Sequence, residues 1–545
     1  MPLAKSPNNP DTTYWTAYPL RTHERQRRGC AHIAIKTSSA GGIPYGKPPV
    51  GSLRWQPPQP FGSWNGVRDA SFYGFRCAQM NTITPRTTPA SEDCLFLNVF
   101  APSGGLSDTA TALPVMLWIH GGAYTTGESN DYHGDSLVTA SNNSVIVVTI
   151  NYRLAQFGFL ASPELQKRST DGSVGNWGIQ DQRLAIAWVK DHIAAFGGDG
   201  NAITIFGESA GGNSVINHLA APASAGLFRA AVVESGAYDE GAASVEAAAV
   251  EYRNLLAKVH CDTVECLEKV STEDLIAAVT PLWLWGPTID GKAMPEAPTD
   301  LIAKGKYNSD VHVMIGSNRD EMAFFNILYE VPTQLTEAEF ETRLRSSTWG
   351  FNASQVSELK QLYAPGGDYP YPATLGYYSP WWWAYTRVGT DVVPGLGPCA
   401  VRWLAELLVA GGTPSVHAYF FAEPTACDAA SHPADCAALE TSIPGIVSSR
   451  PVVVPHAVEI QYVYGYTDLM PAGEQVDLAN IAVQYWAAFG RTGSDPSVVG
   501  LPPWSQYAVG QDNVLRFEAA SHGGVRAEVH TRKAACDFML SQKKA

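Results

Sequence analysis

Basic residues are scarce in this 545-residue sequence, which has 37 Lys and Arg against 52 Asp and Glu and a formal net charge of -15. A chain of that sign repels phosphate backbones and anionic lipid headgroups. It also contains nothing close to the roughly 18 to 20 consecutive apolar residues that a membrane helix needs. These absences argue against nucleic-acid binding and a membrane span, and they predict a soluble protein that acts on a small neutral or cationic molecule.

Metal-ligand spacing is absent as well, because none of the nine cysteines is accompanied by His or a second Cys pair at zinc spacing. The cysteines instead form close pairs separated by polar turns, which is typical of disulfide loops in exported proteins. Sequons at Asn142 and Asn352 point to the same compartment. The first residues, as written, contain no apolar signal segment. We therefore expect a secreted or extracellular glycoprotein whose leader is missing or wrongly assigned.

The apolar content is high, at 45%, and 49 Gly and 37 Pro are spread along the chain without a clean linker. Runs of strand length occur at 95–102, 115–119, 144–153, 202–206, 229–235, 310–318 and 416–423, and a helical pattern occupies 180–196. The run at 144–153 is almost continuously apolar or β-branched, as in a strand buried on both faces of a parallel sheet. Repeated strand, helix, strand order predicts a mostly parallel α/β sheet with helices on both faces.

The sharpest chemical motif is Gly207-Glu208-Ser209-Ala210-Gly211, which lies between a predicted strand and a predicted helix. Small residues permit a turn too tight for larger side chains, and such a turn projects Ser209 over the start of the helix. The peptide N–H of Ala210 then points toward an oxyanion formed when Ser209 attacks a carbonyl group. The alternative interpretation is an ordinary Gly-rich connector. The strand and helix context favours a serine nucleophile.

A second motif, Ile119-His120-Gly121-Gly122, ends another buried strand. Adjacent glycines allow peptide N–H groups to approach a ligand closely, so Gly121 and Gly122 are candidate oxyanion donors. His120 is a candidate base, but a His beside a glycine pair more often orders its loop by hydrogen bonding. We favour that second role for His120.

Several further motifs occur in a fixed order: GIPYGKPPVGSLRW, GVRDA, EDCLFLN, NYRLAQFGFL, GNWGIQDQRLAIAWV, GPTIDG and GSNRDE. Together with GESAGG and HGGAY they resemble the type-B carboxylesterase family, which includes cholinesterases, lipases and the inactive neuroligins. The resemblance extends from about Gly41 to Cys536. It implies an α/β-hydrolase fold with large insertions over residues 41–545. Residues 1–40 depart from the family and are predicted to be an atypical extension or the product of an erroneous gene model.

The resemblance also implies the partners of Ser209. It identifies Glu321 as the acid of a catalytic triad and His456 as the base, which agrees with the chain order serine, acid, histidine. The neighbouring Asp320 could not be separated from Glu321 by spacing alone. Glu208 and Ser235 are expected to support the triad, or else to be ordinary structural residues. Without the resemblance, several other histidines would remain candidates for the base, including His218, His417, His432 and His522.

The implied reaction is ester hydrolysis through an acyl-enzyme, with no metal or organic cofactor. By the same resemblance, disulfides are expected between Cys77 and Cys94, between Cys261 and Cys266, and between Cys399 and Cys536. Cys427 and Cys436 would form an additional local loop and leave Cys30 unpaired.

The substrate is less well defined by sequence. The segment between Cys77 and Cys94 lacks the Trp on which cholinesterases seat a quaternary ammonium group, which disfavours choline esters. Trp283, Trp285 and the aromatic run 377–385 are either pocket walls or core packing. We expect bulky acyl or aryl esters. A lipase with an interfacial lid is the nearer alternative, and a non-catalytic binding protein of neuroligin type is the more distant one.

Overall fold

A ten-stranded mixed sheet organises the chain in the computed structural model, which describes residues 37–80, 89–103, 111–238, 243–278, 285–363, 378–424 and 453–543. The strands are β1 (Thr37–Pro44), β2 (Arg76–Cys77), β3 (Ala90–Ser91), β4 (Phe96–Pro102), β5 (Leu113–Ile119), β6 (Ile146–Ile150), β7 (Gly198–Glu208), β8 (Ala230–Glu234), β9 (Ala243–Ser244), β10 (Thr288–Ile289), β11 (His312–Asn318), β12 (Val416–Phe421), β13 (Val514–Phe517) and β14 (Arg526–Glu528). The main sheet has the order β1-β4-β6-β5-β7-β8-β11-β12-β13-β14. Two minor sheets pair β2 with β3 and β9 with β10.

Seven neighbouring strands in the middle of this sheet run parallel: β6, β5, β7, β8, β11, β12 and β13. At one edge β4 and β1 are added in antiparallel pairs, and at the other edge β14 pairs antiparallel with β13. Parallel neighbours present their carboxyl ends at one edge of a sheet. The ends of β5, β7, β8 and β11 therefore lie side by side. Every strand-length run predicted from the sequence is a strand of this sheet.

Helices connect the strands and cover both faces of the sheet. They are α1 (Asp135–Ala140), α2 (Ala155–Phe159), α3 (Pro163–Arg168), α4 (Trp177–His192), α5 (Ala210–Ala220), α6 (Val245–Lys258), α7 (Val264–Leu267), α8 (Thr272–Ala277), α9 (Pro298–Ala303), α10 (Met322–Leu328), α11 (Glu337–Leu344), α12 (Ala353–Tyr363), α13 (Pro380–Asp391), α14 (Pro398–Ala410), α15 (Ile460–Tyr464), α16 (Glu474–Thr492) and α17 (Lys533–Lys543). No helix of the described residues combines the length and apolar character needed to cross a membrane.

Two hydrophobic cores explain why the central strands are mostly apolar. In β5, Leu117 packs into the core that includes α4, α5 and α14, while its neighbour Trp118 packs into the opposite core with α16. Alternate residues of β6 and β8 divide between the same two cores. Because successive side chains of a strand point to opposite faces, burial on both sides requires an unbroken apolar sequence. The predicted α/β architecture is confirmed.

Three disulfides are formed as expected: Cys77–Cys94, Cys261–Cys266 and Cys399–Cys536. The last of these joins α14 to α17 across 137 residues of sequence. Cys30, Cys427 and Cys436 lie outside the described residues. Strand β1 begins at Thr37 and pairs with β4, so the expected boundary at residue 40 falls within a strand.

Candidate active site

Ser209 occupies a sharp turn between β7 and α5. Its backbone has φ 58° and ψ -123°, a conformation that is strained for a residue with a side chain. The turn is possible because both flanking glycines lie against the end of β5. A Cβ atom on Gly207 would be 2.5 Å from the carbonyl oxygen of Ile119, and one on Gly211 would be 1.9 Å from the same atom. The sequence therefore needs glycine on both sides of Ser209.

The glycine pair after β5 lies next to this turn. A Cβ atom on Gly121 would be 3.0 Å from Cβ of Ser209. Gly122 has φ +102°, and a Cβ there would collide with the carbonyl oxygen of Thr126. Within the described residues, the peptide N–H groups of Gly121 and Gly122 donate to no other backbone group. The N–H of Ala210, at the first position of α5, has no partner within its helix. Three donors thus remain for a negatively charged oxygen near Ser209.

His456 and Glu321 form a close pair although they come from distant parts of the chain. Nδ1 of His456 lies 2.7 Å from Oε2 of Glu321, and both side chains are buried. Glu321 follows β11 and precedes α10, whereas His456 lies on a turn before α15. A carboxylate on Nδ1 fixes the imidazole ring so that Nε2 faces the other way.

The other nitrogen of His456 faces the nucleophile turn. Nε2 lies 3.1 Å from Oε1 of Glu208, the residue before Ser209. This contact lacks hydrogen-bond geometry, and neither atom has a hydrogen-bond partner among the described residues. Nε2 is therefore not hydrogen-bonded within the described residues, and it lies against the residue that precedes Ser209.

Ser235 and Asn318 hold the Glu321 carboxylate in place. The Ser235 hydroxyl donates to Glu321 over 2.6 Å and lies 3.3 Å from Glu459, while the Asn318 peptide N–H donates to Glu321 over 2.6 Å. The Asn318 side chain donates to Glu459 as well. Sequence reasoning identified Ser235 but missed Asn318 and Glu459. Two features of the sequence could have indicated them: Asn318 lies within the motif GSNRDE, and Glu459 lies three residues after His456.

Three buried carboxyl groups act on the imidazole, those of Glu208, Glu321 and Glu459, and a fourth, Glu234, interacts with Glu208 and Glu459. Burial by itself would lower the pKa of His456, but the Glu208 and Glu321 carboxylates outweigh it and raise that pKa to about 9. Burial, together with the neighbouring Glu321, raises the pKa of Glu459 to about 7. Burial likewise raises the pKa values of Glu208 and Glu234. The site therefore favours a cationic imidazole.

The other candidate bases lie in different surroundings. Nδ1 of His120 is 2.8 Å from the carbonyl oxygen of Gly121, and the ring stacks on Tyr152. His218 is buried between Gln182 and Ser224, and burial lowers its pKa to about 3. Burial also lowers the pKa of His417, to about 4.

Two further candidate bases were His522 and His432. His522 pairs with Glu423, and His432 lies outside the described residues. Among the described residues, no group of His, Cys, Asp and Glu has the arrangement of a metal site.

Aromatic side chains flank His456. The ring of Phe325 is 5.1 Å from the imidazole centroid and that of Phe324 is 6.4 Å away. Trp285 is buried in the core that also includes residues of α4 and α5. Of the run 377–385, Trp382 and Trp383 pack in a separate core with α11 and α12, which indicates packing for this part of the run. Trp283, Tyr377 and residues 81–88 of the segment from Cys77 to Cys94 lie outside the described residues.

Comparison with known proteins gives a consistent result. The model of the carboxylesterase family matches residues 36–539. Rabbit liver carboxylesterase 1 is 30% identical over 509 residues, which cover 86% of this chain and 83% of the relative. Para-nitrobenzyl esterase of Bacillus subtilis is 42% identical over 302 residues, covering 52% of this chain and 59% of that enzyme. The crystal structure of a Geobacillus stearothermophilus carboxylesterase superposes with a TM-score of 0.74 at 29% identity, covering 92% of this chain and 97% of that one.

Proposed function

The chain belongs to the carboxylesterase family and is a carboxylic ester hydrolase, and we propose that it hydrolyses esters through an acyl-enzyme on Ser209. Glu321 and His456 complete the triad in this proposal. Gly121, Gly122 and Ala210 form the oxyanion hole. The observation that carries the proposal is the arrangement of His456, whose Nδ1 is held by Glu321 while Nε2 faces the Ser209 turn.

In the first half-reaction, Ser209 Oγ attacks the ester carbonyl carbon and its proton passes to Nε2 of His456. The carbonyl oxygen becomes an oxyanion that accepts hydrogen bonds from the three peptide N–H groups. The positive end of α5 adds a favourable field. The C–O bond to the alcohol then breaks as His456 returns the proton to the leaving oxygen, which leaves Ser209 acylated.

In the second half-reaction, a water molecule attacks the acyl carbon while His456 accepts one of its protons. Collapse of the new tetrahedral intermediate breaks the bond to Ser209 Oγ, which recovers the proton from His456. The carboxylic acid is released. Glu321 orients and stabilises the imidazolium, and Ser235 holds Glu321 in place.

Covalent labelling tests the nucleophile. A fluorophosphonate probe should modify the folded protein on the peptide that contains Ser209, and Ser209→Ala should abolish both labelling and hydrolysis of a p-nitrophenyl ester. The exposed Ser63 provides a matched control, so Ser63→Ala should leave both unchanged. Full labelling of folded Ser209→Ala protein would refute the assignment.

For the substrate we propose esters with bulky acyl or aryl groups. Support comes from Phe324 and Phe325, whose rings lie beside His456 and offer apolar surface where an acyl group would lie. In a series of p-nitrophenyl esters with acetyl, longer and aromatic acyl groups, we expect the highest kcat/KM for an ester whose acyl group is larger than acetyl. A preference for acetyl over every other member would contradict this choice, and activity confined to emulsified long-chain esters would favour a lipase.

We also infer that the protein is exported and glycosylated. The three disulfides support an oxidising compartment. Asn142 and Asn352 are both exposed, as acceptor asparagines must be. Protein secreted from a eukaryotic host should lose mass on treatment with a peptide N-glycosidase, and Asn142→Gln with Asn352→Gln should abolish that loss. Secreted protein of unmodified mass would contradict the inference.

A further inference from the structure

Asp320, which sequence reasoning set aside in favour of Glu321, makes a two-point contact with the segment that carries His456. Its peptide N–H donates to the carbonyl oxygen of Val454 over 2.9 Å. Its carboxylate Oδ2 accepts from the peptide N–H of Val454 over 3.1 Å. One residue therefore binds both main-chain polar groups of Val454, two positions before the imidazole.

The histidine loop, residues 453–459, has no strand or helix of its own, since α15 begins at Ile460. Glu459 anchors the far end of the loop through Ser235 and Asn318. The near end is held by Asp320 and by a hydrogen bond of 3.1 Å from the Asn318 side chain to Pro455. The position of the His456 imidazole thus depends on hydrogen bonds between the histidine loop and the residues around Glu321.

The Asp320 carboxylate is itself held in one orientation. It is completely buried, and Nε of Arg319 lies 3.0 Å from the same Oδ2 that binds Val454. Arg532 donates to the carbonyl oxygen of Arg319 over 2.6 Å. Oδ1 has no hydrogen-bond partner among the described residues. Oδ2 is therefore the Asp320 side-chain atom that binds the histidine loop.

We propose that Asp320 is a positioning residue that fixes the distance between His456 and Glu321 by clamping Val454. The inference rests on the proposed role of His456 as the base. Catalytic groups lose much of their effect when displaced by about 1 Å, so a clamp two residues from the imidazole affects turnover more than substrate binding.

Two substitutions separate this role from a purely electrostatic one. Asp320→Asn removes the charge but can keep an oxygen at the position of Oδ2. Its amide nitrogen then takes the position of Oδ1, which has no hydrogen-bond partner among the described residues. Asp320→Glu keeps the charge and moves the oxygens away from Val454. A positioning role predicts that Glu is worse than Asn, whereas a role through charge alone predicts the reverse order.

We expect Asp320→Glu to lower kcat about tenfold or more, with KM within about twofold, and Asp320→Asn to lower kcat about threefold. Because a looser contact with Glu321 stabilises the imidazolium less, the acid limb of the pH profile should move to lower pH in Asp320→Glu. Asp181 provides the matched control, since it is equally buried and pairs with Arg153 away from the triad. Asp181→Glu should reduce thermal stability while leaving kcat per titrated active site and the pH profile unchanged.

The proposal is overturned if Asp320→Glu matches Asp181→Glu in kcat and pH profile, or if Asp320→Asn loses more activity than Asp320→Glu. Should Asp320→Glu fail to fold, Asp320→Asn decides alone, because a loss of about tenfold or more there would assign the effect to charge. Failure of the proposed function is recognised separately, by Ser209→Ala protein that still hydrolyses esters.

Discussion

Replacing Glu208 by Gln is expected to shift the acid limb of the pH–rate profile to lower pH. Oε1 of Glu208 lies 3.1 Å from Nε2 of His456. Burial opposes the imidazolium, but the Glu208 charge is the strongest influence in the other direction, and the pKa of His456 is raised to about 9. Only the neutral imidazole can accept the Ser209 proton, so activity should rise as the pH increases through this pKa.

The size of the shift follows from these values. With a pKa of about 9, about 1% of His456 is neutral at pH 7, whereas at its ordinary value of 6.5 about three quarters would be neutral. Glu321 and Glu459 remain in the variant and continue to raise the pKa, so the midpoint should fall between these two values. Burial also raises the pKa of Glu208, so Glu208 and His456 compete for one proton and the profile reports the pair.

The assay is kcat/KM for a p-nitrophenyl ester between about pH 5.5 and pH 10 at constant ionic strength, corrected for spontaneous hydrolysis. Glu208→Gln should also lower the plateau at high pH, because the imidazolium formed in the transition state loses a stabilising charge. Glu273→Gln, at an exposed position, is the control and should reproduce the parent profile. An acid limb that stays in place or moves to higher pH in Glu208→Gln would refute the assignment of His456 as the base beside that carboxylate.

Three other substitutions test the architecture around the site. Gly211→Ala should lower the free energy of unfolding by about 3 kcal/mol or more in thermal denaturation, because its Cβ would lie 1.9 Å from a backbone oxygen of β5; a normal melting temperature would contradict this. Ser235→Ala should reduce kcat about tenfold with little change in KM, since Glu321 loses a hydrogen bond of 2.6 Å, and unchanged steady-state kinetics would count against bracing. Replacing Cys399 and Cys536 by Ala should lower the free energy of unfolding in urea by about 5 kcal/mol, given the 137-residue separation, and a loss below about 1 kcal/mol would rule out the chain-entropy account.

The fold could be predicted from sequence largely because its signals are local. Strands β5, β6 and β8 are buried on both faces, so each is a mostly apolar run that can be recognised in the sequence without knowledge of its neighbours. The turn at Ser209 could be predicted in the same way, because the glycines that permit it lie close to it in the sequence.

The partners of Ser209 could not be identified from local pattern alone. Asp320 and Glu321 follow the same strand and are both buried, and only their contacts with distant residues separate them. Asp320 binds Val454 and Arg319, whereas Glu321 binds His456. The resemblance to a family supplied what the spacing of the residues could not. Similarly, only the packing of Trp382 and Trp383 against α11 and α12 distinguishes core aromatics from pocket walls.

The ribosome synthesises the proposed catalytic residues of this chain in a fixed order, and the base comes last. The turn of Ser209, the glycines that face it and Glu321 all emerge from the ribosome before β12, and the histidine loop emerges after it. If Ser209 and His456 have the proposed roles, a nascent or truncated chain that ends before that loop carries the nucleophile without the base that activates it. On the proposed mechanism, ester hydrolysis thus reports that translation has passed the last catalytic residue, and incomplete copies of the enzyme remain harmless to esters in the compartment where they are made.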